Sequence, residues 1–92
     1  MDKFAEVITN IKDVYVNDVK KKIVEGEGEI TGQRYLFNMD VLNEQIKEKG
    51  YKKVMIMFVT DGTTVFVLDT RNNVLAYTNV LLGREGNNEV RR

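Results

Sequence analysis

Residues 54–69 read VMIMFVTDGTTVFVLD, two nearly unbroken apolar runs joined at Asp61-Gly62. An Asp-Gly pair between two β-prone runs is a strong short-range signal for a two-residue hairpin, so Val54–Val59 and Thr63–Leu68 are expected to pair antiparallel across it. Successive strand residues point to opposite faces. Val54, Ile56 and Phe58 therefore share one face and Met55, Met57 and Val59 the other, and both sets are apolar. An antiparallel strand with one wet face alternates apolar with polar residues, so this run asks for cover on both sides.

Downstream, Arg71-Asn72-Asn73 makes a second reversal and Val74–Leu82 reads as the third strand of a β meander that ends at Gly83. Residues 83–92 are polar and rich in Gly and Asn, which predicts a frayed tail after a single domain over 1–82. Upstream, the segment VLNEQIKEK has helical spacing, with Asp40 placed to cap its free N–H groups and Gly50 placed for a left-handed C-terminal cap. Leu42 and Ile46 are its core pair, so it is a short helix laid on a sheet.

Before it, Ile23-Val24, EGEGE and TGQRYLFNM read as a hairpin, with Tyr35, Phe37 and Met39 on one face. Gly26 or Gly28 is the expected source of positive φ in its turn, and Gly32 the candidate for a bulge. At the start, Phe4, Val7, Ile8, Ile11, Val14, Tyr15 and Val19 fall at three-four spacing. That spacing predicts an amphipathic helix of four to five turns with Lys3, Glu6, Lys12, Asp13 and Asp18 on its wet side. The resulting expectation is an α+β domain: one antiparallel or mixed sheet of about five strands and two helices, in the order α-β-β-α-β-β-β.

With 30% charged and 42% apolar residues, the composition is that of an ordinary globular domain. A chain of 92 residues buries only a little over about 60% of its unfolded surface, which leaves room for one core. Lys plus Arg and Asp plus Glu are 14 each, so no field of one sign recruits nucleic acid or an anionic membrane. The absence of Cys, and of any N-terminal apolar segment long enough for a signal peptide or a membrane span, sets a cytoplasmic location as the expectation.

Without His or Cys, the usual nucleophile–base pairs, a neutral-pH His base and the common zinc sites are excluded. The Gly26, Gly28, Gly32 spacing fits neither a dinucleotide fingerprint nor a phosphate loop, and Glu25, Glu27 and Glu29 around it repel phosphate. Those three carboxylates share one face of an extended segment, where a solvated edge accounts for them better than a cation site. Asp61 and Asp69 read as turn and strand-end residues before they read as an acid/base or magnesium pair. Lys20-Lys21-Lys22 reads as a solvated run, and Tyr35 and Phe37 as sheet core rather than as stacking platforms for bases. No catalytic residue, metal ligand set or cofactor is expected.

Two segments resemble known families. Residues 65–88, VFVLDTRNNVLAYTNVLLGREGNN, look like the strand-turn-strand segment of Cache-type sensor domains, which implies ligand sensing in a membrane-flanked setting that this chain does not provide. Residues 42–61, LNEQIKEKGYKKVMIMFVTD, resemble the helix-Gly-Tyr-strand passage in the C-terminal domain of manganese-dependent inorganic pyrophosphatases. That family pairs the passage with a phosphate-binding basic motif and a His-rich metal domain. This chain offers only Arg84, Arg91 and Arg92 out of pattern, so the activity does not carry over. The expected element order is also similar to that of profilin-like and Roadblock modules, which act as dimerising scaffolds.

The leading expectation is therefore a non-enzymatic protein-interaction or regulatory module, a homodimer or a binder of another protein through an apolar sheet or helix face. Met55, Met57 and Val59 supply the apolar contact, and Arg71, Asn72 and Arg84 are the loop residues placed to meet a partner carboxylate. The alternative is a sensor domain that binds a small ligand or phosphate through the meander loops around Arg71 and Arg84.

Overall fold

The computed structural model describes residues 4–14, 22–50 and 55–81. Val54, Leu82, the 83–92 tail with Arg84, residues 15–19 of the expected first helix, and Lys20-Lys21 lie outside the described residues. The elements run β1 (Glu6–Val14), β2 (Ile23–Gly28), β3 (Arg34–Asn38), α1 (Met39–Glu48), β4 (Met57–Thr60), β5 (Thr64–Leu68) and β6 (Val74–Asn79). The class is α+β. The described residues hold six strands and one helix, where five strands and two helices were expected.

All six strands form one antiparallel sheet in the order β3-β2-β1-β4-β5-β6. Two three-stranded meanders thus meet along the β1–β4 seam, and β1 lies inside the sheet instead of packing on it as a helix. The element order that suggested a profilin-like or Roadblock arrangement is not present.

The helical spacing of the first segment has a local explanation. Between Thr9 and Lys12, β1 takes in one more residue than β2 does, and Asn10 adopts φ 52° there. A bulge of this kind needs a left-handed residue, a conformation Asn tolerates better than most. The added residue lets Ile8 and Ile11, three apart in sequence, both face the core. A bulged strand has copied the i, i+3 signature of a helix.

Pairing partners across a sheet share a face. One such row, Ile8–Phe58–Val67–Ala76, and its neighbour Glu6–Thr60–Val65–Thr78 face inward. Their apolar members, Ile8, Phe58, Val65, Val67 and Ala76, join Val24, Tyr35, Phe37, Leu75 and α1's Leu42 in one core. Gly26 and Gly28 are β2 residues of this inner face and do not make the turn. A Cβ on Gly26 would meet Ile8 Cγ2, and one on Gly28 would meet the Glu6 carboxylate. Positive φ in the β2–β3 loop falls to Gly32, at 75°.

The helix begins earlier than expected. Asn38, not Asp40, is its N-cap, and its side chain accepts from the amides of Asp40 at 2.9 Å and Val41 at 3.3 Å. Asp40 instead accepts from the Lys22 amide at 3.2 Å. Gly50, with φ 81°, follows the C-cap as the sequence predicts, and its N–H donates to Lys47 O at 3.0 Å. The β4–β5 hairpin turns on Gly62-Thr63, one residue later than expected, closed by Asp61 N–H donating to Thr64 O at 3.3 Å. Gly62 supplies the positive φ, 104°, that its first central position requires.

The sheet curls until its edges approach: Leu81 N–H, just past β6, donates to Leu36 O of β3 at 2.7 Å. In the remaining gap α1 lies along the edge of β6. Gln45 Nε2 donates to Tyr77 O at 2.7 Å, Tyr77 N–H donates to Gln45 Oε1 at 3.1 Å, and Lys49 Nζ donates to Leu75 O at 2.8 Å. No helix among the described residues is long and apolar enough to cross a membrane.

Candidate interaction face

The outer side of the sheet carries the row Val7–Val59–Phe66–Tyr77 across β1, β4, β5 and β6. Beside it runs Met57–Leu68–Val74. Aromatic rings meet one another along the first row. Phe4 meets Phe66 edge-on with centroids 5.2 Å apart, and Phe66 lies 6.4 Å from Tyr77 at 45°. No helix among the described residues covers this side.

Exposure divides the face into floor and contact surface. Val59, 3% exposed, and Leu68 are buried yet stand outside the inner cluster, so they are the floor. Tyr77 is 59% exposed, Met57 37% and Met55 78%, with Val74 and Ile56 also open. Of the residues singled out in the sequence, Met57 and Val59 thus share the outer face, and Met55 lies just ahead of β4. Val59 is closed off by its neighbours and offers little surface of its own. The strand itself starts at Met57, so Met55 and Ile56 are unpaired in the sheet.

Arg71 and Asn72 sit in the β5–β6 turn at the same end of the face as Met57, since Met57 pairs with Leu68 and Asp69 follows it. That turn is built around its own carboxylate. Asp69 Oδ1 accepts from the amides of Arg71 at 2.8 Å and Asn73 at 2.9 Å, and Oδ2 accepts from Asn73 Nδ2 at 3.1 Å. Asn72 takes φ 66° to make the reversal. At the opposite end, Asp61 Oδ1 accepts from Thr63 N–H at 2.9 Å and Thr64 N–H at 2.8 Å. The Asn73 amide and carboxamide hold the Asp69 carboxyl below its usual range, and the Thr63 and Thr64 amides do the same for Asp61. Both turns have thus given amide donors to an internal anion.

A third carboxylate is buried. Glu6, placed on a wet helix face by the sequence pattern, points inward from β1. It accepts from Tyr35 OH at 2.6 Å, from Thr31 Oγ1 at 2.7 Å, and from the amides of Thr31 at 2.9 Å and Ile30 at 3.0 Å. The Tyr35 hydroxyl above all, then the Thr31 amide, lowers its pKa from 4.5 to about 2, outweighing the opposing effect of burial. Burial, reinforced by the Glu6 charge, pushes Tyr35 up to about 12. Four donors converge on one fully engaged carboxylate, which ties β1 to the β2–β3 loop. Among the described residues, no three acidic side chains converge on a point that would hold a metal ion.

Sequence reasoning missed Phe4, Phe66, Val74 and Tyr77 as members of the face. The signal was the two-residue period within TVFVL and LAYTN, which sets Phe66 and Tyr77 opposite the core residues Val65, Val67 and Ala76. No family model, curated protein or solved structure matches the chain.

Proposed function

We propose that this chain is a small non-enzymatic interaction module that pairs with a second copy of itself through the outer face of β4, β5 and β6. The observation that carries the reading is the pair of adjacent apolar rows ending in open Met57, Val74 and Tyr77. Contiguous apolar surface of this kind marks a docking site, and aromatic and Met side chains are enriched in such contacts.

A second copy suits the face on electrostatic grounds. With 14 charges of each sign the copies do not repel at long range. Among the described strand residues, the charged ones of the outer side, Lys12 opposite Glu25 and Glu27 opposite Arg34, sit on the other half of the sheet, away from the apolar rows. An isologous contact between two apolar patches then leaves each charged half in water. The ligand-sensor reading is less favoured, because the amides of the meander turns already hold Asp61 and Asp69.

Sedimentation velocity at tens of micromolar tests the proposal. The wild type is expected to run as a dimer, and Tyr77→Glu or Met57→Lys to weaken dimerisation by at least tenfold, about 1.4 kcal/mol, with the far-UV spectrum unchanged. A wild-type chain that stays monomeric at that concentration overturns it.

A further inference from the structure

Where α1 runs beside it, the edge of β6 turned away from β5 presents the Tyr77 N–H, the Tyr77 C=O and the Leu75 C=O. In a bare sheet such a row is a template for another strand. Here each of these groups is held by a side chain of α1. The Gln45 carboxamide both donates to and accepts from Tyr77, at 2.7 and 3.1 Å, and Lys49 Nζ reaches Leu75 O at 2.8 Å. One donor and one acceptor exchanged with a single residue is the pattern of a hydrogen-bonded pair in an antiparallel ladder. Gln45 therefore stands where the peptide groups of an added strand would stand. Beyond the reach of α1, Leu81 N–H is taken by Leu36 O of β3.

We infer that Gln45 and Lys49 act as a side-chain stand-in for a seventh strand and keep β6 from pairing with β6 of a second copy. The partner they exclude is chemically specific: an antiparallel, apolar, extended segment, which the VLAYTN strand of another copy supplies. The consequence for assembly rests on the proposed face contact. A second two-fold contact added to a first links dimers into open chains, so an edge occupied along Leu75–Tyr77 lets assembly stop at the face-to-face pair.

The full-length chain carrying Gln45→Ala and Lys49→Ala tests this by sedimentation velocity and thermal melting. Ala preserves the helix while removing the donors and acceptor. The expected result is a folded protein whose weight-average mass is at least double that of the wild type at equal concentration and continues to rise with concentration. Adding Met57→Lys separates the two readings, because Met57 lies on the outer face in β4 and not on the β6 edge, and an edge contact alone stops at a dimer. If the face proposal is wrong, the wild type is a monomer and the double variant a dimer, and the edge inference stands. Should the double variant lose its fold, Gln45→Met and Lys49→Met, which retain helix propensity and apolar bulk, replace it. Folded variants with the wild-type mass distribution overturn the inference.

Discussion

Glu6 shows how one side chain can tie remote parts of a small domain together. Its carboxylate joins β1 to the β2–β3 loop and to Tyr35 of β3, and it fits only because Gly28 has no Cβ. Its titration has a defined sign. The folded chain holds the proton only below about pH 2, whereas the unfolded carboxyl takes it up near 4.5. Between those values the unfolded state binds more protons, so this contribution is full above pH 4.5 and is lost as pH falls toward 2. Tyr35 acts in the opposite direction at the alkaline end. With its folded value near 12 against 10 unfolded, its contribution is complete below pH 10 and declines as pH rises toward 12. Urea midpoints measured from pH 6 to pH 2 are expected to fall more steeply for the wild type than for Glu6→Gln. Equal slopes would mean that Glu6 is not held as described. The sequence offered no route to this network, since Glu6, Thr31 and Tyr35 meet through a loop return that no local spacing encodes.

Among the elements, legibility followed how local the determining signal is. The β4–β5–β6 meander and α1 were readable because a Gly-containing turn, a left-handed Gly50 and a three-four apolar pair are all written within a few residues. β1 was not, because its bulge at Asn10 shifts the side-chain phase and turns a two-residue period into three. Asn10 itself then becomes the test of that account. At φ 52° a β-branched side chain is strained by about 1–2 kcal/mol, while Gly is free of the clash. Asn10→Val is expected to lower stability by that amount and Asn10→Gly to leave it nearly unchanged, as read from chemical denaturation. A helix at this position would show the reverse ranking, because Gly is the poorest of the three in a helix interior.

For the molecule as a whole, the two apolar faces foreseen in VMIMFVTDGTTVFVLD are real around β4, but their cover is not what the sequence suggested. The inner face is closed by the curl of the sheet and by α1. The outer face has the rings of Phe4 and Phe66 over part of it and leaves Met57, Val74 and Tyr77 open. How a sheet curls depends on pairing between distant strands, which no local spacing encodes, whereas the miscount of strands and helices among the described residues traces to the bulge in β1. If the outer face pairs with a copy, folding and association are linked by mass action. The apparent Tm of the wild type should then rise with protein concentration, and that of Tyr77→Glu should not. A concentration-independent wild-type Tm would count against the pairing.

The seam between the two meanders also bears on how the chain is made. β1 pairs on one side with β2, close behind it in sequence, and on the other with β4, where Glu6 waits for Thr60. During translation the first meander can therefore assemble on emergence, while the far edge of β1 stays bare until ribosomes have delivered the second. Until β4 pairs with it, that edge carries open backbone donors and acceptors that can template a wrong strand.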